Sequence, residues 1–387
     1  MMERYPFFKG GRLAGYVRTF SDFVEVLEGG LRLYLWEGDR GLLHEGRGDF
    51  MMAVYEPPLE KPTGGCADFE ERVRQAAEAL GDKLQGRRVM VDFSGGKDST
   101  LNLLAVVMLS ELVGFRAIPV YVHVPYLEPP SNIDHAERLA GRLGLKLEVV
   151  EADRRMMLFY LNRDGLPRRG TRWCTFLKMK ALREAMKAVG ADIEAKAERV
   201  AESGKRAEKL SKTFAKTAYL AGKTLNLVYD MPIEQVALEL VSRRLVHPHY
   251  LEGLPRVSCS LCPYKGLYEL AISREHELED WGLIEHVARR VHQRYYHALS
   301  WEEYWSYVLW RYDPTLALMR ARERRCTCSE EELSLERAKS MFSSLWREEN
   351  LKALRECAST APGAFGKLPN GILNFDVHEP LRKVQWN

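Results

Sequence analysis

The stretch Val89-Met90-Val91-Asp92-Phe93 running into Ser94-Gly95-Gly96-Lys97-Asp98-Ser99 constrains this chain more than any other, because a β-forming run stops at paired glycines and a helical period begins at once. Adjacent glycines allow positive φ and let backbone N–H groups approach an anion closely. The helix behind them presents free N–H groups and its positive dipole end to phosphate. Lys97 adds a mobile point charge, Ser94 and Ser99 add hydroxyl donors, and Asp98 is available as an N-cap or as a ligand on the magnesium side. A bare Gly-Gly reads as a tight turn with Asp98 as cap. Six specified positions at a strand-to-helix junction read as a phosphate cradle for nucleotide. The spacing does not fit the Walker pattern, which needs four residues between its glycines and a Lys-Ser/Thr ending.

From Arg87 onward apolar runs alternate with helical periods, which predicts βαβ units and a mostly parallel sheet. Strands are expected at 89–93, 117–124, 145–150, 192–197 and 225–229. Helices are expected at 99–112, 132–143, 176–189, 201–222 and 233–244, lengths suited to crossovers. Ahead of this lies a small β-rich module, with runs such as Leu31–Leu35 and Phe50–Tyr55, then a Pro/Gly linker and a helix from Phe69 to Leu84. Beyond Cys262 no strand is expected, and 264–358 reads as helical, with Trp281, Trp301, Trp305, Trp310 and Trp346 on amphipathic stretches taken as core. The resulting division is 1–64, 65–270 and 271–387.

With 57 basic and 54 acidic residues the net charge is +3, so no whole-protein field points to nucleic acid and the partner stays open. The first residues lack a signal-peptide pattern, and no apolar stretch reaches the length of a membrane helix, so a cytoplasmic, non-membrane protein is expected. Homo-oligomerisation is left open.

The loop resembles the PP-loop of the adenine nucleotide alpha-hydrolase superfamily. Three further motifs follow it in order: Arg172-Trp173-Cys174-Thr175 with Lys178; Glu198-Arg199-Val200-Ala201-Glu202-Ser203-Gly204-Lys205-Arg206; and Tyr250 through Cys259-Ser260-Leu261-Cys262-Pro263. Over about residues 87–270 the chain is similar to the phosphoadenosine phosphosulfate (PAPS) reductase family. The resemblance implies an α/β, Rossmann-like (HUP-type) sheet with nucleotide across the carboxyl ends of its strands. It also implies that the PP-loop converges there with Arg199 and Arg206, whose forked guanidinium groups suit phosphate or sulfate oxygens. Arg172, Lys178, Glu202 and Ser203 fall in the matching nucleotide-binding segments, the last two placed to orient the arginines or cap the next helix. Ala197, often glycine in the family, and Pro125, usually polar, depart from the pattern.

Cys259 and Cys262 have a spacing shared by zinc and iron–sulfur sites. The resemblance adds Cys174, giving three thiolates for a 4Fe-4S cluster, with Cys326 or Cys328 as first candidates for a fourth ligand, or one iron left open. Zinc, or thiols with a purely structural role, is the other reading. The histidines at 247, 249, 276, 286, 292 and 297 receive no role.

Two enzymatic functions follow. The first is an ATP- and magnesium-dependent pyrophosphatase that adenylates an acceptor, tRNA or a small molecule, for sulfur transfer; the Lys-rich stretch 196–223 would serve RNA. The second is reduction of a sulfonucleotide, which in the family needs a tail cysteine in Glu-Cys-Gly-x-His. Here Cys357 precedes Ala358-Ser359, and Asp376-Val377-His378 has none. A nucleotide-binding regulator without turnover is the third possibility.

Overall fold

The computed structural model describes residues 3–44, 68–214, 218–323 and 328–360. Five strands open the chain: β1 Tyr5–Lys9, β2 Arg12–Phe20, β3 Phe23–Leu27, β4 Leu31–Glu37 and β5 Arg40–His44. They form an antiparallel meander in chain order. The β1–β2 turn is Gly10-Gly11 with both φ positive, the conformation that matches hairpin twist. The expected strand at Phe50–Tyr55 and the linker after it lie outside the described residues.

A second sheet follows: β6 Arg88–Asp92, β7 Arg116–His123, β8 Glu148–Glu151, β9 Ile193–Ala195, β10 Leu220–Ala221 and β11 Thr224–Leu225. Its order is β10-β11-β9-β6-β7-β8, parallel except for the β10–β11 hairpin. Helix α1 Phe69–Leu84 precedes β6, and the connections between the strands carry α2 Lys97–Val113, α3 Ser131–Arg142, α4 Arg154–Asp164, α5 Trp173–Ala188 and α6 Gly204–Phe214. Val89, Met90 and Val91 of the central β6 are fully buried, as expected for a strand covered on both faces. Because the chain adds β7 and β8 on one side of β6 and β9 on the other, the strand order reverses at β6. That places a ligand crevice at its carboxyl end.

The remaining helices are α7 Ile233–Ser242, α8 Pro248–Leu251, α9 Leu267–Ser273, α10 Trp281–Tyr295, α11 Trp301–Ser306, α12 Pro314–Glu323, α13 Leu335–Ser344 and α14 Leu351–Thr360. Trp310 and Trp346 are buried, and Trp281, Trp301 and Trp305 pack against the core. None of the helices is long and apolar enough to cross a membrane, among the described residues.

Three expectations need correction. The helix at 201–222 stops at Phe214, and Leu220–Leu225 instead turns as a hairpin at Gly222, whose φ is +59°. The strand at 225–229 ends at Leu225, because side chains replace the ladder: Leu227 N–H donates to Asn102 Oδ1 (3.2 Å) and Val228 N–H to Asn226 Oδ1 (3.1 Å). Strands do not cease at Cys262 either. β12, Cys328–Ser334, pairs antiparallel with β5 and becomes the sixth strand of the N-terminal sheet. Its Glu-rich sequence has poor β-propensity, but Glu331 and Glu332 meet Arg32 and Arg40 of the older strands, a charged edge that discourages further pairing.

Candidate functional site

At the carboxyl end of β6 the chain enters the loop with Gly95 at φ +70°, a conformation that side chains adopt only with strain. Gly96 then caps α2 without any side-chain hydrogen bond. The Ser94 N–H donates to Ser99 Oγ (3.2 Å), the two hydroxyls lie 3.1 Å apart, and Ser99 Oγ–H donates to the Gly96 carbonyl (2.9 Å). The loop is also held from outside: the Lys97 N–H donates to the hydroxyl of Tyr250 (2.7 Å), which stacks on Trp346. What remains is a rigid turn with backbone donors at a helix N-terminus, the arrangement an anion needs.

Lys97 and Asp98 do not project into that space. The Lys97 side chain is 4% exposed, its ammonium donates to Asp98 (2.9 Å) and sits 5.9 Å from the Tyr5 ring centroid. Asp98 is neither N-cap nor open ligand, since Arg199 Nε also donates to it (2.5 Å). Arg199 is fully buried and its fork is occupied: Nη1 donates to Glu3 and to the Met231 carbonyl (both 2.7 Å), and Nη2 to Glu3 (2.6 Å). Glu3, Arg199, Asp98 and Lys97 thus form a neutral chain of four charges beneath the loop. Burial opposes the Asp98 charge, but Arg199 and Lys97 outweigh it and bring the carboxyl down to about 2. Glu202 accepts from the Arg199 N–H (2.9 Å), and Ser203 Oγ from the Arg206 N–H (3.2 Å). Arg206 itself is 40% exposed and pairs with Glu202 and Glu198, so it does not converge on the loop with Arg199. In the structure Lys97 and Arg199 thus take part in one internal chain of ion pairs, and Arg206 in a surface ion pair.

Cys259 and Cys262 arrive at the same end of the sheet. A Cβ on Gly96 would lie 3.9 Å from Val257 Cβ, two residues before Cys259. The Ser260 N–H donates to the Leu127 carbonyl (2.9 Å) in the turn after β7, and the Cys262 N–H to the Cys259 carbonyl (3.3 Å). Cys174, in the first turn of α5, is drawn in by the preceding segment: Arg169 Nε donates to the Pro263 carbonyl (2.8 Å), and Arg172 lies 4.7 Å over the Tyr264 ring. Burial and then Cys262 push the Cys174 thiol up to about 11. Burial and then Glu128 push the Cys259 thiol well above its ordinary value, opposed by Lys178. Cys174 and Cys259 are thus neutral around pH 7 and poor nucleophiles until a metal displaces their protons.

Among the described residues, two groups have ligating atoms all within 4.8 Å of one another, and neither includes a cysteine. A single zinc would need its thiolates about 4 Å apart, given Zn–S of roughly 2.3 Å. Cys328 opens β12 in the N-terminal sheet, and Cys326 lies outside the described residues.

Two site residues carried no signal strong enough to find them. His247 is 1% exposed, and a Cβ on Gly95 would lie 3.5 Å from its Cδ2. Its Nδ1 accepts from the His249 N–H (3.2 Å), so the neutral ring carries its proton on Nε2, which is buried without a partner. Burial, then His135, brings His247 down to about 3 and keeps it neutral. The other is Asp92, a polar residue closing an apolar strand. Burial, then Glu194, raises its carboxyl to about 8, and its Oδ1 has no hydrogen-bond partner. Such a group binds a proton in the folded state that the unfolded chain releases near pH 4, so its contribution makes stability fall as pH rises from about 4 to about 8. Asp92→Asn is expected to flatten that part of the profile and to raise stability at pH 8, read by denaturant melts at several pH values. An unchanged slope would show that Asp92 is not the titrating group.

Residues 88–222 match the phosphoadenosine phosphosulfate reductase domain. Among curated proteins none matches the chain. Similar solved structures include the U34-tRNA thiolase NcsA from Methanococcus maripaludis with its 4Fe-4S cluster, at 16% identity, 58% of this chain, 73% of that chain and TM-score 0.35. They also include the NH3-dependent NAD synthetase from Campylobacter jejuni, at 13%, 59%, 95% and 0.32. The NMN synthetase from Francisella tularensis stands at 13%, 59%, 95% and 0.36.

Proposed function

We propose that this chain, which carries a phosphoadenosine phosphosulfate reductase domain at residues 88–222, uses that domain as an ATP pyrophosphatase that adenylates an acceptor for sulfur transfer. The observation that carries the reading is the meeting of the glycine loop and the Cys259–Cys262 segment at one end of the parallel sheet, with Val257 against Gly96. ATP would lie with its phosphates over Gly95, Gly96 and the start of α2. Backbone N–H groups and the hydroxyls of Ser94 and Ser99 would receive charge as the α–β bond breaks and pyrophosphate leaves. His247 Nε2–H is a further donor on that rim, neutral and without a competing acceptor. Magnesium would accompany the phosphates as counter-ion. Lys97, Asp98 and Arg199 act from below by fixing the loop, not by touching the nucleotide.

Cys174, Cys259 and Cys262 are the residues that would hold a 4Fe-4S cluster, with one iron open; when bound, it would supply a site for sulfide. Arg172 and Lys178, which lower the thiols nearest them, would offset the charge of the deprotonated sulfurs. The acceptor would be tRNA or a small molecule, within a cytoplasmic protein.

The sulfonucleotide reductase reading needs a mobile nucleophilic cysteine. Cys357 is 8% exposed on α14, and burial followed by Glu234 pushes its thiol up to about 11, which argues against that role. Incubation with labelled ATP, or with PAPS, separates the readings. AMP and pyrophosphate are expected from ATP. Sulfite from PAPS without ATP consumption would replace this function by reduction, and tight ATP binding without product would make the chain a regulator.

A further inference from the structure

Beside the nucleotide loop, and separate from the thiols, the histidines form a line. The rings of His247 and His249 lie 4.5 Å apart by centroid, and His249 and His276 stack at 4.1 Å. His249 and Glu252 are three residues apart across the single turn of α8, a spacing that puts both side chains on one face. His276, in the loop after α9, comes back over them, with its Nε2 3.0 Å from Glu252 Oε2. One nitrogen from each histidine and one carboxylate oxygen all lie within 4.8 Å of one another.

The surroundings distinguish this group from the other such cluster. His123, Glu151 and Glu279 also gather, but Arg154 donates to Glu151 (2.8 Å) and to Glu279 (2.7 Å), so a guanidinium already occupies the place of a cation. No arginine or lysine pairs with Glu252 among the described residues; its partner is His276. The group borders a cleft of about 450 Å³ that Glu252 and His276 line together with Glu275, Glu336, Lys339 and Arg347. Lys339 pairs with both Glu275 and Glu336, leaving the acidic groups in excess there. His249 is 5% exposed and anchors the inner side, whereas the Glu252 carboxylate is 46% exposed and faces solvent.

We propose that His249, Glu252 and His276 bind one divalent transition metal ion of the zinc class, with an open coordination position facing the cleft. Two imidazoles and one carboxylate form a donor set that zinc and its borderline neighbours accept, and a three-residue set leaves a position for water or substrate. The ion would stand in the shell behind His247, one residue pair away from the phosphate loop. The site does not depend on what the thiols hold, nor on the ATP reading.

Cobalt(II) is the probe, because thiolate ligation shows intense charge-transfer bands and nitrogen–oxygen ligation shows only weaker d–d bands. The full chain, stripped by chelator, is titrated with cobalt(II) and then back-titrated with zinc. One equivalent with d–d bands and no thiolate charge transfer is expected, displaced by zinc. Glu252→Gln and His276→Ala should each weaken it by more than the ~10–100-fold that loss of an outer-shell partner typically costs, while any thiolate bands stay unchanged. Glu252 is exposed and His276 borders the cleft, so both variants keep the fold even if His249→Ala does not, and far-ultraviolet circular dichroism checks this. A wild-type chain with no thiolate-free equivalent, or an equivalent that both variants bind as tightly, overturns the proposal.

Discussion

Arg199→Ala is expected to destabilise the protein by about 3–5 kcal/mol, the range seen when one partner of a buried ion pair is removed. The guanidinium is fully buried and bridges Glu3 of the N-terminal segment to Asp98 of the loop, with the Met231 carbonyl as a further acceptor. Its loss leaves two carboxylates without their cation, one of them 5% exposed and the other 14%. Asp98 would still have Lys97, but Glu3 would lose its cation within the chain of four. Arg199→Lys should recover only part of the loss, because an ammonium cannot bond Glu3 through two nitrogens while also reaching Asp98. Urea melts measure the change. The pH dependence gives a second signature: Asp98, held at about 2, contributes stability that is complete above its ordinary range near 4 and is lost as pH falls through 2. In Arg199→Ala that acid limb should move to higher pH. Unchanged stability with a selective loss of ATP affinity would instead make Arg199 a ligand-binding arm.

The strand, the turn and the helix of the phosphate loop were legible because all three signals sit within a dozen consecutive residues. What the loop's charged residues do was not, because their partners come from Glu3, Arg199 and Tyr250, roughly a hundred residues or more away in either direction. Residue type alone made Lys97 a mobile charge; burial under Tyr5 made it a strut. The parallel sheet was readable from apolar runs, while the Lys-rich helix was overextended because its helix-forming composition runs past Phe214, and only pairing with β9 shows that Leu220–Leu225 is a hairpin. Helix α4 escaped notice although Asp153 caps it, accepting from the Arg155 and Met156 N–H groups (3.1 Å each). The histidines were invisible as a group, since His135 and His276 come from elements other than α8, which carries His249 with His247 as its N-cap, and only folding brings the four rings together.

Gly96→Val and Cys259→Ser are expected to break different halves of the reaction. At Gly96, φ is −73°, so a side chain causes no backbone strain. Its Cβ would already meet Ser94 Oγ at 3.4 Å and Tyr250 Oη at 3.6 Å, and valine's methyl groups would have to fill the space over the loop's donors. Pyrophosphate release from ATP should fall by at least about 10²-fold, the scale for losing a charge-stabilising donor, while iron content is retained. Cys259→Ser removes a sulfur and keeps the backbone bonds that shape the segment, Ser260 N–H to Leu127 and Cys262 N–H to Cys259. Iron and visible absorbance should be lost together with sulfur transfer, whereas AMP and pyrophosphate continue to form, since the loop's own contacts run through Ser94, Ser99 and Tyr250. Cys262→Ser should behave as Cys259→Ser does. The pairing of the two losses is the informative part: a loop variant that keeps iron and a thiol variant that keeps ATP cleavage mean two chemical steps sharing one rim. If ATP cleavage disappears in both, the thiols belong to the nucleotide's own binding site and the order of adenylation before sulfur transfer falls. A wild-type chain that is colourless and carries zinc at the thiols ends the cluster reading outright, and leaves ATP cleavage to stand on the loop alone.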